Sequence, residues 1–246
     1  MKHLGIESAA PLTPVELAKL ALFHNDDHEC VMPVPPDAGP VPVYEKFGRR
    51  ADHQFEYRGA DGALLGYVLR WDARDGCRKE FSPATYWRNA NNKRSWRFKA
   101  WPDPRPLFGL DRLAAYPDAI VLLTEGEKAA EAVERGPLAD AFTSCRQHVI
   151  GVSWPGGVEA IKYADFTPLA GREVIIVPDN DAAGEKAADQ LVEMMIQSGV
   201  RRLRRWKAPV QCQTKWDVAD AIPAELSPET LVKSILERPR SRHRGS

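Results

Sequence analysis

The chain lacks the features that mark several common classes of protein. None of its apolar stretches approaches the ~20 residues that cross a membrane, and no basic-then-apolar secretory signal opens it. The cysteines are scattered without CxxC spacing, which argues against a zinc ribbon and against a disulfide framework. No GxxxxGK[ST] motif occurs, so the sequence contains no P-loop ATPase or helicase. We therefore expect a cytoplasmic protein without membrane contacts.

Charge is balanced in total but unevenly distributed along the 246 residues. Residues 78–105 carry eight Lys or Arg and two Asp or Glu, whereas residues 125–193 carry thirteen acidic and six basic residues. One interpretation is a basic surface that brings a polyanionic substrate to an acidic, metal-binding centre. The other is that both segments are solvated surfaces, and charge alone does not decide between the two.

Composition and periodicity divide the chain into segments. Thr13, Pro14 and Glu16 form a helix-start signal, so residues 13–23 are predicted to be helical. Two strand-like runs flank Asp61–Gly62, a hairpin signal. The predicted domains are a helical N-terminal segment (1–31), a proline-rich linker (32–43), a basic β-rich module (44–105), an α/β catalytic domain (106–238) and a disordered tail (239–246).

From residue 106 onwards, strand-like and helix-like patterns alternate. Such alternation predicts a parallel sheet with helices on both faces. Predicted strands are 119–124, 147–153, 172–178 and 201–207, and predicted helices are 106–116, 127–135, 156–164, 182–198, 216–222 and 228–237.

Acidic residues follow two of these strands directly. Glu125 comes after the apolar run AIVLLT, and Asp179 and Asp181 come after VIIVP. Because the C-terminal ends of parallel strands share one edge of the sheet, we expect the three carboxylates to lie together. Such a group requires a hard cation, Mg²⁺ or Mn²⁺, and supports metal-assisted chemistry. The alternative is that each acid only caps the helix that follows it.

These motifs resemble a known family. TEGEK at 124–128 and VPDNDAAG at 177–184 are similar to the Toprim domain, whose signature is a Glu after one strand and an Asp-x-Asp after a later one. GVSWPGG (151–157) and KWDVADAI (215–222) fit the same pattern. YRGADGALLGYVLRWD, KEFSPATYWR and KAWPDPRPLFGLDRL resemble the region that precedes Toprim in DNA primases of phages, plasmids and mobile elements.

The resemblance implies a Rossmann-like parallel sheet behind a small β-rich module. It also implies that Glu125, Asp179 and Asp181 are the catalytic residues and metal ligands. The chain departs from replicative primases because it has no N-terminal zinc module, although His24, His28 and Cys30 form a weak cluster. It is therefore expected to be either a small stand-alone primase-like protein or the N-terminal part of a primase-helicase.

Cationic and aromatic residues supply candidates for substrate contacts. Lys128 and Lys186 each begin a helix beside an acidic strand end and are candidate nucleotide ligands. The stretch YWRNANNKRSWRFKAW interleaves aromatics that stack on bases with cations that contact phosphates. Its candidate DNA-binding residues are Trp87, Arg88, Lys93, Arg94, Trp96, Arg97 and Lys99. The alternative is a hairpin whose aromatics face the core. RRLRRWK (201–207) is predicted to be an edge strand or a phosphate contact.

The sequence as a whole favours a DNA primase, in which Mg²⁺-dependent nucleotidyl transfer makes short RNA primers on single-stranded DNA. Expected partners are the DNA template, NTPs and a replicative helicase. Alternatives are a Toprim-type metal-dependent nuclease, a haloacid-dehalogenase-type phosphatase, and a non-catalytic DNA-binding or helicase-docking module. The phosphatase is disfavoured because Ala183 replaces the expected Thr or Val, and because two strands precede Asp179.

Overall fold

The computed structural model describes residues 28–237. The predicted helix at 13–23 and the predicted tail at 239–246 lie outside this range. No helix of the described part is long and apolar enough to cross a membrane. Strands in chain order are β1 His28–Cys30, β2 Glu45–Lys46, β3 Arg49–Arg50, β4 His53–Arg58, β5 Leu64–Trp71, β6 Glu80–Asn89, β7 Arg94–Arg97, β8 Ile120–Thr124, β9 Val149–Ser153, β10 Glu173–Val177 and β11 Arg202–Arg205. Helices are α1 Leu110–Ala115, α2 Glu127–Arg135, α3 Ala139–Thr143, α4 Ala182–Gln197 and α5 Pro228–Leu236.

The N-terminal part of the described chain is an antiparallel sheet, as predicted. Its order is β1-β6-β5-β4, and β7 pairs with β6. The turn between β4 and β5 contains Gly62 at φ 79°, which confirms the hairpin predicted at Asp61–Gly62. Because β1 pairs with β6, residues 28–30 share this sheet with a module that was predicted to begin only at residue 44. Residues 28–105 are called the β module below.

The second part is a four-stranded parallel sheet in the order β11-β10-β8-β9. Strands β8, β9 and β10 are fully buried along their length, as continuous apolar runs in a parallel sheet should be. Alternation along β8 sends Val121 and Leu123 into one core and Ile120 and Leu122 into the other. Helices α1 and α4 cover the first face, whereas α2, α3 and α5 cover the second. The predicted α/β class is confirmed.

Two predicted helices are absent from the described residues. Residues 158–163 form a short 3₁₀ segment instead of an α-helix over 156–164. Gly156 and Gly157 cannot belong to a helix, because they adopt φ 95° and 68°. Residues 216–222 form turns rather than a helix. There, the Asp217 and Asp220 side chains accept bonds from the backbone at Ala219 and Asp217, which competes with helix formation.

An apolar cluster joins the β module to the parallel sheet. Its members come from β4 and β5, from Trp101 and Phe108, and from Ala130 on α2. Helix α2 also packs closely on β9, because a Cβ at Gly151 would lie 2.0 Å from the Ala130 carbonyl oxygen. This packing fixes α2, and with it the end of β8, against both parts of the molecule.

Candidate active site

The C-terminal edge of the parallel sheet carries the acidic residues. Thr124 and Val177 are register partners at the ends of β8 and β10, so Glu125 and Asp179 leave adjacent strands at the same level. Glu125, Asp179 and Asp217 line one cavity of about 270 Å³. This cavity is called the site pocket. The predicted proximity of Glu125 and Asp179 is therefore present, and Asp217 joins them.

A loop from the far end of the chain brings Asp217 to the pocket, and Asn180 holds that loop. The Asn180 side-chain amide donates to the carbonyl oxygens of Cys212 and Gln213, both at 2.9 Å. The Asn180 backbone N–H donates to the Trp216 carbonyl at 3.0 Å, and the Asn180 backbone carbonyl accepts from the Lys215 backbone N–H at 2.9 Å. The residue between the two aspartates of the Asp-x-Asp motif thus positions a further carboxylate.

Burial and mutual repulsion make these carboxylates weak acids. Burial, and then the charges of Glu125 and Asp217, raise the pKa of Asp179 to about 7. The pKa of Glu125 is raised by burial and by the charge of Asp181. Burial also raises the pKa of Asp217. Ionising all of them at neutral pH is therefore unfavourable without a compensating cation.

Asp181 has a different position from its neighbours. Its carboxylate caps α4 by accepting from the Gly184 backbone N–H at 2.8 Å, as the helix-cap alternative requires. It does not line the site pocket, but its charge contributes to the raised pKa of Glu125. The predicted ligand Asp181 therefore lies next to the site while serving as a helix cap.

The donor set suits a hard divalent cation, although it is not a closed cage. Across residues 28–237, no three His, Cys, Asp or Glu side chains are arranged to hold a metal ion. Mg²⁺ typically binds one or two protein carboxylates and takes its other ligands from water and substrate phosphates. Glu125, Asp179 and Asp217 fit this mode, because three repelling oxygen donors line one cavity.

The opposite wall of the pocket comes from the β module and is cationic. Arg70 on β5 and Lys79 before β6 line the cavity with Phe81. The charge of Lys79 acts against the pKa increases of Glu125 and Asp179, which places its ammonium group near both carboxylates. These cations were missed in the sequence analysis, where Lys79 was counted only as part of the basic segment. Strand alternation at 79, 81 and 83 is the signal that pointed to a shared face.

Arg70 is held in place by a second acid. Its Nε donates to Asp72 Oδ1 at 2.7 Å, and His53 Nε2 donates to Asp72 Oδ2 at 3.0 Å. Burial raises the pKa of Asp72, but the bonds from Arg70 and His53 outweigh this effect and lower it. Asp72 therefore remains ionised at neutral pH and orients the Arg70 guanidinium.

A buried hydrogen bond links the two walls. Tyr57 Oη on β4 donates to Glu127 Oε1 at 2.7 Å, and the two residues are 0% and 4% exposed. Burial raises the pKa of Glu127 even though the Tyr57 bond acts in the opposite direction. Glu127 begins α2 two residues after Glu125, so this bond fixes the β module relative to the carboxylate edge.

The glycine-rich loop lies at the same pocket, whereas the two candidate lysines differ. Gly156 and Gly157 line the cavity. Lys128 is half-buried, and its charge partly offsets the raised pKa of Asp217. Lys186 is exposed on α4, and neither lysine lines the cavity itself. Of the two predicted nucleotide ligands, Lys128 is thus the nearer to the carboxylates.

The candidate DNA-binding stretch forms the hairpin β6–β7, and one of its members is misassigned. Trp87 is 5% exposed, with Lys99 Nζ 4.4 Å from its ring centroid. It cannot stack on a base, because its ring is buried, lies under Lys99 and donates from Nε1 to Thr85 Oγ1 at 2.6 Å. The prediction for Trp87 is therefore wrong, and the alternative of a core-facing aromatic applies.

The other members of the stretch retain some exposure. Lys93 is exposed in the hairpin turn, and Trp96 is half-buried, with Nε1 donating to the Gly39 carbonyl at 3.2 Å. Two arginines pair with acids, Arg88 with Glu29 and Arg94 with Asp37. Arg97 and Lys99 are half-buried.

The basic run near the C-terminus forms an edge strand, as predicted. Strand β11 pairs with β10 alone. Arg202 and Arg204 both contact the buried Glu173, at 3.5 and 3.4 Å. Arg205 pairs with Asp189 at 2.6 Å and with Glu185. These cations are used within the fold, at the sheet and α4.

Comparison with known proteins matches residues 120–205 to the Toprim domain. Comparison with curated proteins gives no match. Among solved structures, the chain is similar to the Aquifex aeolicus primase zinc-binding and RNA polymerase domains, with 18% identity, TM-score 0.47, and coverage of 92% of this chain and 49% of that one. It is also similar to the E. coli primase catalytic core, with 18% identity, TM-score 0.42, and coverage of 87% and 55%.

A third similar structure is the DnaG primase catalytic domain bound to ssDNA, with 19% identity, TM-score 0.40, and coverage of 73% and 46%. The chain thus spans about half the length of the solved structures it matches. The matched residues begin at the first residue of β8 and end at the last residue of β11. Residues 120–205 of this chain are a Toprim domain.

Proposed function

We propose that this protein is a primase-type nucleotidyltransferase, which uses Mg²⁺ or Mn²⁺ to join ribonucleotides on a single-stranded DNA template. One observation carries the proposal: the site pocket has carboxylates on one wall and the cations Arg70 and Lys79 on the other. A metal-bound triphosphate satisfies both walls, because its metal meets the carboxylates and its phosphate oxygens meet the cations.

The reaction would form one bond and break another at the α-phosphorus of the incoming nucleotide. The 3′-hydroxyl oxygen of the growing strand attacks this phosphorus, and the bond to the bridging oxygen of the β-phosphate breaks, so pyrophosphate leaves. The hydroxyl proton passes to a carboxylate of the pocket, and Glu125, whose pKa is raised, is the candidate. A bound divalent cation would polarise the phosphoryl oxygens and stabilise the charge on the leaving group.

The cationic wall would orient the triphosphate. Arg70, held by Asp72, presents a fixed guanidinium that suits bidentate contact with phosphate. Lys79 lies near Glu125 and Asp179, forms no ion pair within residues 28–237, and is well placed for the phosphate chain. Gly156 and Gly157 line the same cavity and carry no side chain, so phosphates could approach the backbone of the loop that contains them.

The template is assigned to the exposed part of the β6–β7 hairpin. Lys93 and Arg94 would contact phosphates and Trp96 would contact a base, as single-strand surfaces do. A replicative helicase partner, in the same chain or separate, remains part of the proposal, as does a cytoplasmic location.

The test is to incubate the protein with single-stranded DNA, labelled NTPs and Mg²⁺ or Mn²⁺. New short labelled oligomers are expected with the wild type and none with an Asp179→Ala/Asp181→Ala double variant. Arg70→Ala and Lys79→Ala are expected to lower kcat/KM at least tenfold. Arg78→Ala is the matched control, because Arg78 adjoins Lys79, has an 88% exposed side chain and contacts Glu80.

Other outcomes distinguish the alternatives. Shortened DNA that depends on Asp179 and Asp181 would identify a nuclease that uses the same edge. DNA binding with no turnover and no requirement for metal would identify a binding or docking module, and the catalytic proposal would be abandoned.

A further inference from the structure

An aromatic ring is left exposed in the wall of the site pocket. Phe81 is 37% exposed and lines the cavity, whereas the neighbouring module aromatics Phe55 and Tyr57 are 2% and 0% exposed. An apolar ring beside a few convergent polar groups in a concave site is typical of a ligand contact.

The pairing of β5 with β6 fixes where this ring lies. Arg70 is the register partner of Phe81, and Val68 is the partner of Pro83. Because side chains two residues apart share a face, these four residues form one surface of the β module, and all four line the pocket. Lys79 continues the same alternation.

Both cations of this wall lie close to the ring. The Arg70 guanidinium carbon and the Lys79 ammonium nitrogen are each 5.6 Å from the Phe81 ring centroid. A ligand that bound both would therefore be polyanionic at one end and would have its remaining part within reach of an aromatic face. Nucleotides combine a polyanionic chain with a planar base in this way.

We propose that Phe81 is the platform on which the base of a bound nucleoside triphosphate stacks. This assignment rests on the proposed function and extends it from the phosphates to the base. Stacking on an aromatic face accepts every base, because each presents a π surface. The platform thus explains how one pocket would accept different nucleotides while their pairing to a template selects among them.

The nucleotide is favoured over a DNA strand because the ring shares its cavity with the carboxylates. Phe81, Glu125 and Asp179 line the same space of about 270 Å³. The molecule that contacts the ring would therefore be the one whose phosphates lie at the carboxylates. The template surface proposed on the β6–β7 hairpin lies elsewhere on the β module.

The test measures binding of ATP and of inorganic tripolyphosphate to the full chain, with Mg²⁺ and without DNA. Phe81→Leu keeps an apolar side chain but removes the π face, so ATP should bind about tenfold more weakly. Tripolyphosphate, which has no base, should bind unchanged. Phe81→Trp should restore ATP affinity. Tyr116→Leu is the matched control, since this ring is 44% exposed and stacks on His148. Tyr116 precedes the N-terminal end of β8, whereas the site pocket lies at its C-terminal end.

Four other outcomes overturn the assignment, and a fifth overturns only the proposed function. Equal weakening of ATP and tripolyphosphate would mean that Phe81 shapes the phosphate site, and no weakening of either would mean that the ring contacts no ligand. Weaker binding of a single-stranded DNA oligomer alone would assign the ring to the strand. If the wild-type protein bound neither ATP nor tripolyphosphate, both the nucleotide site and the stacking role of Phe81 would be refuted. If ATP bound but no oligomers were made, only the proposed function would be refuted.

Discussion

Replacing Asp179 with Asn should stabilise the metal-free protein at alkaline pH while abolishing its activity. Burial and the charges of Glu125 and Asp217 raise the pKa of this carboxyl from 3.8 to about 7. A tenfold change in proton affinity corresponds to about 1.4 kcal/mol, so the charged form is disfavoured in the folded state by up to ~4 kcal/mol. Since the carboxyl is only partly buried and its neighbours relax, we expect a gain of about 2–3 kcal/mol in the free energy of unfolding.

The dependence on pH identifies the cause. Between about pH 4 and 7 the folded protein binds the proton that the unfolded chain has released, so wild-type stability falls as pH rises through this range. Above pH 7 the loss is complete, and below pH 4 it is absent. The advantage of Asp179→Asn should therefore grow between pH 4 and 7 and then remain constant.

Thermal unfolding in EDTA at several pH values measures this advantage. For a chain of this size, 2–3 kcal/mol corresponds to an increase in Tm of about 5–10 °C. Adding Mg²⁺ at pH 8 should raise the Tm of the wild type more than that of the variant. The control is Asp189→Asn, because Asp189 is an exposed residue of α4 that pairs with Arg205. An Asp179→Asn variant no more stable than the wild type at pH 8, or with an advantage independent of pH, would refute the electrostatic argument.

Two further substitutions test how the carboxylate edge is positioned. Gly184→Ala should destabilise the protein by at least ~2 kcal/mol and lower activity at least tenfold, because the new Cβ would lie 2.3 Å from the Asp179 carbonyl oxygen. Thermal unfolding measures the loss of stability. Gly126→Ala is the steric control, since its Cβ would meet nothing within 4 Å. Tyr57→Phe should lower the free energy of unfolding by about 1–3 kcal/mol in denaturant unfolding, because the buried Glu127 loses the Tyr57 hydroxyl as a donor. A Tyr57→Phe/Glu127→Gln double variant should recover part of this stability. An unchanged midpoint for Tyr57→Phe would contradict the structural role of the bond.

The parallel sheet and its acidic edge follow from local signals. Continuous apolar runs predict β8 and β10, and the helix predicted at 127–135 is α2 with the same limits. The placement of Glu125 and Asp179 needs only the rule that parallel strands end at one edge. Each of these inferences depends on a few neighbouring residues and on a topology with few alternatives.

Where turn chemistry competes with periodicity, the same reasoning fails. Residues 216–222 have helical spacing, but Asp217 and Asp220 bond to nearby backbone groups, and Lys215 adopts φ 69°. Trp87 is a candidate base-stacking residue in the sequence, yet its ring is buried in the β module and bonds to Thr85. These outcomes depend on side-chain bonds and strand partners that the spacing of residues does not specify.

The cationic wall could not be predicted from the sequence, because it depends on how two regions that are distant in the sequence pack together. Alternation in β5 and β6 places Arg70 and Lys79 on a common face, but it does not say what that face meets. The answer comes from the cluster around Phe55, Tyr57 and Ala130, and from the bond between Tyr57 and Glu127. These contacts are distant from one another in sequence and apolar in the main, so they carry no chemical signature of their own.

The two walls have a consequence for how the site would be filled. The carboxylates repel one another, as the raised pKa of Asp179 indicates, and the opposing cations, Arg70 and Lys79, are available to bind anions. Either ligand alone would satisfy one wall, whereas a metal and a triphosphate together would satisfy both and neutralise each other. Metal and nucleotide should therefore bind cooperatively. The hydrogen bond between Tyr57 and Glu127 would set the distance between the two walls that the metal–nucleotide complex must span.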